Sequence, residues 1–415
     1  MSQLRGQGSA PSGRRFFGVP LDPQRNSLNL IRLLLASTVL FAHTYFILGV
    51  PPEHQFHLGG QHLGAWAVAG FFGVSGYLIT ASRQRSRFAS FLLLRIGRIF
   101  PAFLVVLLVT AFVFGPIAEL VNHGTLANYL RTDPSPFSYI FMNMFLEVRT
   151  YSIGDTLMNV PYFDVWNGSL WTLYYEFLCY LFVGLFLIWT VARRRVWPLL
   201  IAFGLSVLIY ANINLALILV DGYESFRLLA MLLPYFLGGA VIRMLMPYIG
   251  LHWLPGAASL IVFVVGVHYG PGWTAQLLAP LLAYGLLWLS TVLPQPAWMA
   301  RNDISYGIYV YAFPVQQLLV VFGLGFLHPL VFSVVALAIT AVFATGSWYF
   351  VERPALRRCR EATGRPADRV VEVPHHDAAR NEDSAPVEAS RESTDPADRP
   401  ATLVAEQTGD SERSG

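Results

Sequence analysis

Long apolar stretches separated by short polar segments dominate this chain. A transmembrane helix needs about 20 apolar residues, and backbone amides in lipid must find their partners within their own segment. The pattern therefore predicts an all-α polytopic membrane protein with about ten transmembrane helices, and the stretch that begins near Trp253 is the weakest candidate. The stretches are residues 28–49, 63–81, 99–118, 168–190, 199–220, 226–246, 253–268, 274–292, 304–326 and 328–351.

The composition supports a membrane protein. Hydrophobic residues make up 55% of the 415 residues, and charged residues make up only 13%. A soluble protein has about 25% charged residues. The lipid bilayer is therefore the expected surrounding of most of the chain, and no nucleic-acid partner is expected.

The basic residues predict the orientation of the helices. All 28 of them are arginines, and they are concentrated in alternate connecting segments, as is typical of cytoplasmic loops. With the N-terminus in the cytoplasm, only Arg131 and Arg149 lie outside, and Arg227 lies at an outer helix end. The sequence therefore predicts an even number of spans with both termini in the cytoplasm.

Three regions differ in composition. Residues 1–27 form a basic flank that the topology assigns to the cytoplasm, and residues 28–354 form the membrane domain. Residues 355–415 are predicted to be a disordered, acidic cytoplasmic tail. From residue 361 onwards there are 13 acidic residues against 6 arginines and almost no large apolar side chains. Such a segment cannot bury enough surface to offset the entropy of ordering.

The first apolar stretch contains two ionisable residues, Arg32 and His43. A charge at the bilayer centre costs about 2.5–3.5 kcal/mol on insertion scales. The spacing of the two residues places them on one helix face, about 16 Å apart along the axis. Taken singly, Arg32 is explained by snorkelling to the headgroups and His43 by a buried hydrogen bond. Their shared face favours a polar path through the membrane.

A second intramembrane charge, Glu176, lies in the fourth stretch on the predicted outer side, as His43 does. A carboxylate beside an imidazole orients the ring, fixes its tautomer and raises its basicity. Glu176 is therefore a candidate partner of His43. The alternative is a glutamate that is protonated or paired with an arginine.

Arg95 and Arg98 precede the third stretch on the predicted cytoplasmic side. Their spacing makes them neighbours on one helix face, and guanidinium groups bind phosphate oxygens bidentately. The positive-inside rule explains the arginines of residues 83–87 but is a weaker explanation of two arginines embedded in apolar sequence. No metal site is predicted, because the histidines of HQFHLGGQH (residues 54–62) match no strong zinc pattern.

Six motifs in order between residues 29 and 354 resemble those of acyltransferase-3 integral membrane acyltransferases, the family that includes bacterial O-antigen and exopolysaccharide O-acetylases. The first motif is an arginine and a histidine separated by ten residues, Arg32 and His43. The others are FFGVSGYLIT, LRIGRIFPAF, GSLWTLYYEFLCY, ISYGIYVYAFPVQ and WYFVERP.

The resemblance implies a membrane-bound O-acyltransferase in the bacterial cytoplasmic (inner) membrane. It would move an acyl group, most simply acetyl, from cytoplasmic acyl-CoA (acetyl-CoA) to a hydroxyl of a carbohydrate, glycolipid or other glycoconjugate. The family implicates Arg32 and His43 in catalysis. Arg95 and Arg98 would belong to the donor-binding motif, with Glu352 in the closing motif that supports it.

The chain departs from the family pattern at two positions. Ala312 stands where many members have histidine, so any role of that histidine is absent or moved. Thr172 stands where serine is common, which is a mild change. No hydrolase-like domain outside the cytoplasm is expected after the last span.

Three questions stay open at this point. A secondary transporter or flippase for a glycan or lipid would use the same polar path, although the internal repeats typical of transporters are not seen. His43 would act either as a general base or as a carrier of the acyl group. Ser75, between two glycines, is better explained by close helix packing than as a nucleophile.

Overall fold

The computed structural model describes residues 18–22 and 26–364. Within these ranges the chain is helical apart from one short hairpin and the connecting loops. This confirms the predicted all-α class. The predicted basic flank and acidic tail lie mostly in residues 1–17, 23–25 and 365–415, which are outside the described residues, so both stay predictions there.

The helices follow one another along the chain with short connections. They are α1 (Leu28–Ile47), α2 (Leu63–Gln84), α3 (Phe88–Val109), α4 (Gly115–His123), α5 (Pro136–Asn143), α6 (Trp171–Phe186), α7 (Thr190–Arg194), α8 (Trp197–Ala211), α9 (Ile213–Leu219), α10 (Glu224–Ile249), α11 (Trp253–Tyr269), α12 (Thr274–Leu277), α13 (Ala279–Val292), α14 (Ala297–Arg301), α15 (Ser305–Val321), α16 (Pro329–Ser347) and α17 (Arg353–Ala362).

Shorter elements join or interrupt these helices. One turn of π-helix, Thr110–Phe114, links α3 to α4, and another, Trp348–Glu352, links α16 to α17. Three-residue 3₁₀ turns are Pro52–His54, Tyr129–Arg131 and Leu324–Phe326. The hairpin pairs β1 (His57–Leu58) with β2 (Gln61–His62) in antiparallel register.

Five helical segments of the described chain are long and apolar enough to cross a membrane. They are Leu28–Ile47, Leu63–Gln84, Phe88–His123, Glu224–Ile249 and Pro329–Ala362. A sixth is obtained if α8 and α9, which meet at a bend of 90°, count as one broken span. Helices α6, α11 and α13 are apolar but shorter. The chain is thus a multi-pass helical membrane protein.

Helices α2 and α10 are in backbone contact at the centre of the bundle. A methyl group at Gly76 would overlap the carbonyl oxygen of Phe236, and one at Gly239 would overlap the carbonyl oxygen of Gly73. Glycine therefore permits a close approach that larger residues would prevent, as small residues do between many transmembrane helices.

Helix α15 lies deep in the bundle, with nearly every side chain from Ser305 to Gln317 buried. It packs against α1, α3 and α16. The Gln316 amide donates to the Leu40 carbonyl oxygen (3.0 Å) and to Thr44 Oγ1 (2.7 Å). These bonds fix α15 against the second half of α1, where His43 lies.

The last described helix, α17, reaches Ala362. The sequence places the end of the membrane domain at Pro354 and the start of the disordered tail directly after it. The first residues of that predicted tail are therefore helical. Gly97 on α3 explains why α17 can lie so close to this helix, because a methyl group there would meet Cys359.

Candidate active site

A cavity of about 1060 Å³ opens at the end of the bundle where α1 ends and α2 begins. Its wall combines aromatic side chains with a few polar groups, as is typical of small-molecule sites. The lining residues come from α1, the hairpin, α2, the loop between α5 and α6, α6, α8, α9, α10, α11, the α11–α12 connection, α12 and α15. The cavity is therefore built from segments distant in sequence, and it belongs to the body of the bundle.

His43 forms part of the wall of this cavity. Its ring packs edge-on against Phe313, with 5.2 Å between the ring centroids, and lies 6.5 Å from the ring of Phe46. The Nδ1 atom is buried and has no hydrogen-bond partner among the described residues. No protein group there fixes the tautomer of this imidazole.

Two hydroxyl side chains in the same wall are paired with each other. The Thr172 and Tyr309 hydroxyls share a hydrogen bond, and the Tyr309 hydroxyl also contacts the Ser169 carbonyl oxygen at 2.8 Å. Thr172 therefore uses the hydroxyl group that a serine would also supply at this position. Ala312, the other departure from the family pattern, is buried beside Phe313.

A cluster of four charged residues lies at the opposite end of α1. Asp303 Oδ2 accepts from Arg32 Nη1 and from Arg98 Nη2, the latter at 2.6 Å. Arg98 Nη1 donates to Glu352 Oε2 at 3.0 Å. The cluster pairs two cations with two carboxylates, and each side chain is at most 21% exposed. We call these four residues the ion cluster.

Aromatic rings complete the surroundings of Arg98. Its guanidinium carbon lies 5.5 Å from the ring centroid of Tyr306 and 5.8 Å from that of Trp348, distances at which cation–π attraction operates. Trp348 opens the π-helical turn that ends at Glu352. This irregular turn thus brings both the ring and the carboxylate to Arg98.

The charge state of Asp303 follows from its neighbours. Burial alone would raise the pKa of this carboxyl group, but the guanidinium groups of Arg32 and Arg98 outweigh burial. Together with hydrogen bonds from Ser305 they lower the pKa of Asp303 to about 2. The carboxylate is therefore ionised at neutral pH and holds both arginines at once.

Glu176 has partners other than the one that the sequence proposes. Its Oε1 atom accepts hydrogen bonds from Ser75 Oγ (2.9 Å) and from the Tyr180 hydroxyl (2.5 Å), and it interacts electrostatically with Arg95. His43, by contrast, interacts electrostatically with His62. No hydrogen bond or ion pair joins Glu176 to His43 among the described residues, and their pairing stays a prediction. Ser75 holds a carboxylate in addition to lying in a tightly packed helix.

Arg95 and Arg98 are neighbours on α3, as predicted, but their surroundings differ. Arg98 is held by two carboxylates in the ion cluster. Arg95 is half-buried, and its Nε atom has no hydrogen-bond partner among the described residues. Of the two guanidinium groups, that of Arg95 is the one left available for an anionic ligand.

Several polar groups of α3, α6 and α15 influence one another electrostatically. Arg95 interacts electrostatically with Arg98 on one side and with Glu176 and Tyr180 on the other. Glu176 in turn interacts with Tyr309, which lines the cavity. Ionisable groups of α3, α6 and α15 thus influence one another electrostatically, and the polar path that α1 predicts stays a prediction.

Asp303 is a site residue that sequence reasoning did not identify as a partner of the arginines. It directly precedes the motif ISYGIYVYAFPVQ and lies on the same predicted side as Arg32 and Arg98. The available signal is an acidic residue at the start of an apolar stretch, on the predicted side where the arginines are concentrated. Its meaning depends on the packing of α1, α3 and α15, which the sequence does not specify.

A second group of acidic and histidine side chains lies away from the cavity. Glu119 and Asp155 contact the two ring nitrogens of His123, at 3.2 Å and 3.5 Å respectively. Their ligand atoms lie within 4.8 Å of one another. The group therefore joins α4 to the connection between α5 and α6, in which Asp155 lies.

Comparison with known proteins agrees with these motifs. A model of an acyltransferase domain matches residues 25–352. The chain is similar to the O-acetyl transferase of Shigella phage Sf6, with 30% identity over 348 residues, which are 80% of this chain and 96% of the phage protein. It is also similar to nodulation protein 10 of Rhizobium leguminosarum bv. viciae, with 26% identity over 374 residues, covering 80% and 94% of the two chains. No solved structure matches it.

The matched domain covers the whole membrane body, including both ends of α1, the ion cluster and the cavity. The match confirms the resemblance that the six motifs indicate, and with it the assignment as an enzyme. The chain therefore belongs to the family defined by this acyltransferase domain, and it is a multi-pass membrane acyltransferase.

Proposed function

We propose that this protein transfers an acyl group, most simply acetyl, from cytoplasmic acyl-CoA to a hydroxyl of a carbohydrate or glycoconjugate. One observation carries the proposal. Helix α1 holds Arg32 in the ion cluster at one end and His43 in the cavity at the other. A reaction that joins a donor from one side of a membrane to an acceptor on the other needs such a helix.

In the proposed topology, the chain crosses the membrane ten times and both termini lie in the cytoplasm. The arginine distribution supports this orientation. The ion cluster would then face the cytoplasm, where acyl-CoA is available, and the cavity would face the outside, where a surface glycan is assembled. A reporter fused after Pro354 should read cytoplasmic, and one inserted within residues 119–167 should read external. An external reading at both positions would contradict the topology.

Arg95 is the proposed contact for the donor phosphates. Its guanidinium is half-buried, its Nε atom has no hydrogen-bond partner among the described residues, and Glu176 acts on it electrostatically without an ion pair in that part of the chain, which leaves its donors for oxyanions. Arg98 and Glu352 would contribute by shaping the site, since Arg98 is occupied by two carboxylates. The polar groups between Arg95 and Tyr309 would accommodate the thioester end of the donor as it reaches the cavity.

His43 is the proposed catalytic residue. As a general base it would remove the proton of the acceptor hydroxyl while the oxygen attacks the thioester carbonyl. The carbon–sulfur bond then breaks, and the imidazolium returns the proton to the leaving thiolate, so that the products are the ester and free CoA. In the alternative mechanism the imidazole nitrogen attacks first and carries the acyl group. Rapid acid quenching followed by mass spectrometry distinguishes the two, because only the second leaves acyl-His43.

The test uses purified, full-length protein with radiolabelled acetyl-CoA and surface glycan from a host strain that lacks the protein. We expect label in the glycan as an alkali-labile ester together with release of free CoA. Movement of the glycan across a vesicle membrane without acylation would contradict the proposal and favour a transporter. Label on lipid or protein with none on glycan would overturn the proposed acceptor class.

A further inference from the structure

The cavity wall contains a second unsatisfied group besides the histidine, and it lies on α12. Gln276 lines the cavity, and only 3% of its surface is accessible to solvent. Its Oε1 atom is buried and has no hydrogen-bond partner among the described residues. Of the buried side-chain atoms without partners in the described chain, only His43 Nδ1 and this oxygen belong to residues that line the cavity.

The orientation of the Gln276 amide follows from its other contact. Nε2 donates to the carbonyl oxygen of Met231 on α10, at 3.4 Å. A carbonyl oxygen only accepts hydrogen bonds, so the NH₂ group must face Met231 and the amide oxygen must be the free atom. The wall of the cavity therefore holds an acceptor that needs a donor.

An unsatisfied acceptor has an energetic consequence. Leaving a buried acceptor without a partner is unfavourable, and most buried polar groups in proteins are paired. Such a group at a binding cavity becomes satisfied when a ligand brings a donor. Carboxylates and phosphate diesters bring none at neutral pH, whereas hydroxyl groups do.

We propose that Gln276 is an acceptor-binding residue that takes a hydrogen bond from a non-reacting hydroxyl of a polyhydroxylated acceptor while another hydroxyl lies against His43. This inference rests on the proposed function and deepens it, since it names the group that recognises the acceptor. Two unpaired sites in one cavity match a ligand with at least two hydroxyls. Aromatic side chains of the same wall, including Trp171 and Trp273, provide the apolar surface that most ligand sites combine with a few polar groups.

The position of Gln276 suits this role. It lies on a helix of four residues, Thr274–Leu277, between the longer helices α11 and α13, and α12 packs against α8, α10 and α13. These contacts hold Gln276 in the wall of the cavity. Within the described chain, no hydrogen bond or ion pair joins Gln276 to the ion cluster, so its substitution should leave the donor side unaltered.

The experiment compares wild type with Gln276→Met and Gln276→Glu in the acyl-transfer assay with surface glycan. Methionine keeps the size and removes the acceptor oxygen, whereas protonated glutamic acid keeps an acceptor oxygen and a donor to the Met231 carbonyl oxygen. For the methionine variant we expect a rise of about tenfold in the KM for glycan, the effect of one hydrogen bond. The KM for acetyl-CoA and the apparent melting temperature should not change. The glutamate variant should recover at least part of the affinity for glycan.

Binding is measured in parallel by titrating the tryptophan fluorescence of the same proteins with the glycan, since several tryptophans line the cavity. Weaker binding by the methionine variant than by wild type supports the inference whether or not turnover is seen. An unchanged KM and unchanged binding in a folded methionine variant would overturn it while leaving the proposed function standing. If wild type neither binds nor acylates the glycan, the proposed function and this inference fail together.

Discussion

The two ends of α1 differ in how their polar groups are satisfied. At the Arg32 end, Asp303 and Glu352 neutralise two arginines, and Ser305 and Ser347 hydrogen-bond to these carboxylates. At the His43 end, the imidazole and the Gln276 amide line a cavity of about 1060 Å³, and each has a buried atom without a partner in the part of the chain that the structure describes. The polar groups at the Arg32 end are paired with one another, whereas those at the His43 end are only partly paired.

This difference between the two ends of α1 separates two roles within the arginine–histidine motif of the family. Arginine and histidine form one sequence motif, yet the arginine is committed to ion pairs and the histidine to a cavity. A saturated cluster fixes the packing of α1, α3 and α15, and it leaves little capacity for a ligand. We propose that the chemistry takes place at the His43 end, where a substrate would complete the hydrogen bonds.

The largest expected effect is on stability and comes from Asp303→Asn. The substitution removes the negative charge shared by two buried guanidinium groups, and breaking a buried ion pair on one side costs about 3–5 kcal/mol. We expect a strongly lowered apparent melting temperature in detergent and poor recovery of folded protein. Glu224→Gln is the matched control, because the Glu224–Arg227 pair is exposed and should contribute no more than about 1 kcal/mol.

If Asp303→Asn is as stable as wild type and loses only activity, the ion cluster does not stabilise the fold, and this difference between the two ends of α1 is wrong.

The dependence of stability on acid pH gives a second check of the ion cluster. The folded-state pKa of Asp303, about 2, lies below the ordinary value, so the unfolded state binds the proton more tightly. The stabilisation is complete above about pH 4 and is lost as the pH falls towards 2. The Asp303→Asn variant has no carboxyl group to protonate at this position, so its free energy of unfolding should fall less than that of wild type over the same pH range.

A smaller effect, on donor binding, is expected from Arg95→Gln. A hydrogen bond to a charged group is worth about 1.5–3 kcal/mol, so the KM for acetyl-CoA should rise by tenfold or more with the melting temperature nearly unchanged. Arg98→Gln should instead lower the melting temperature, because it leaves Asp303 and Glu352 without their shared partner. Arg357→Gln, at a side chain that is 67% exposed, serves as the control for loss of a positive charge.

An equal rise in donor KM for the Arg95 and Arg98 variants, with both folded, would mean that the two arginines form one phosphate site. That result would mean that Arg98, despite its ion pairs, binds the donor as well as Arg95 does. A normal donor KM in the Arg95 variant would leave that residue as a topology signal only.

The smallest effect is expected from Ser75→Ala in the polar groups between the two ends. Glu176 would lose one of its two hydrogen bonds, worth about 0.5–1.5 kcal/mol, and Tyr180 would still hold the carboxylate. We expect a modest decrease in melting temperature and in turnover. Complete loss of acyl transfer with normal folding would instead indicate that Ser75 takes part directly in the reaction.

The sequence predicts the helices far better than it predicts their partners. The first stretch, 28–49, matches α1 within two residues, because a long apolar run determines a membrane helix. The pairing of Arg32 with Asp303 spans 271 positions and depends on how α1 and α15 pack. Glu176 shows the same limit: its place on α6 follows from the sequence, whereas its bonds to Ser75 and Tyr180 do not.

The count of spans shows a further limit. The apolar runs around residues 168–190 and 199–220 are long enough to predict a span each, but loop-like backbone and a 90° bend shorten the helices within them. Hydropathy does not register such breaks, because the residues on both sides stay apolar. For the same reason the cavity, which lies among these shorter helices, has no simple sequence signature.

The central claim is that chemistry takes place at the His43 end of α1. His43→Gln tests it most directly, because glutamine keeps polarity and much of the hydrogen bonding but cannot act as a base or carry an acyl group. Steady-state acyl transfer from acetyl-CoA to glycan should fall by at least about 100-fold, with donor KM and melting temperature close to wild type. Turnover near the wild-type rate in this variant would contradict the account and would make His43 a structural residue.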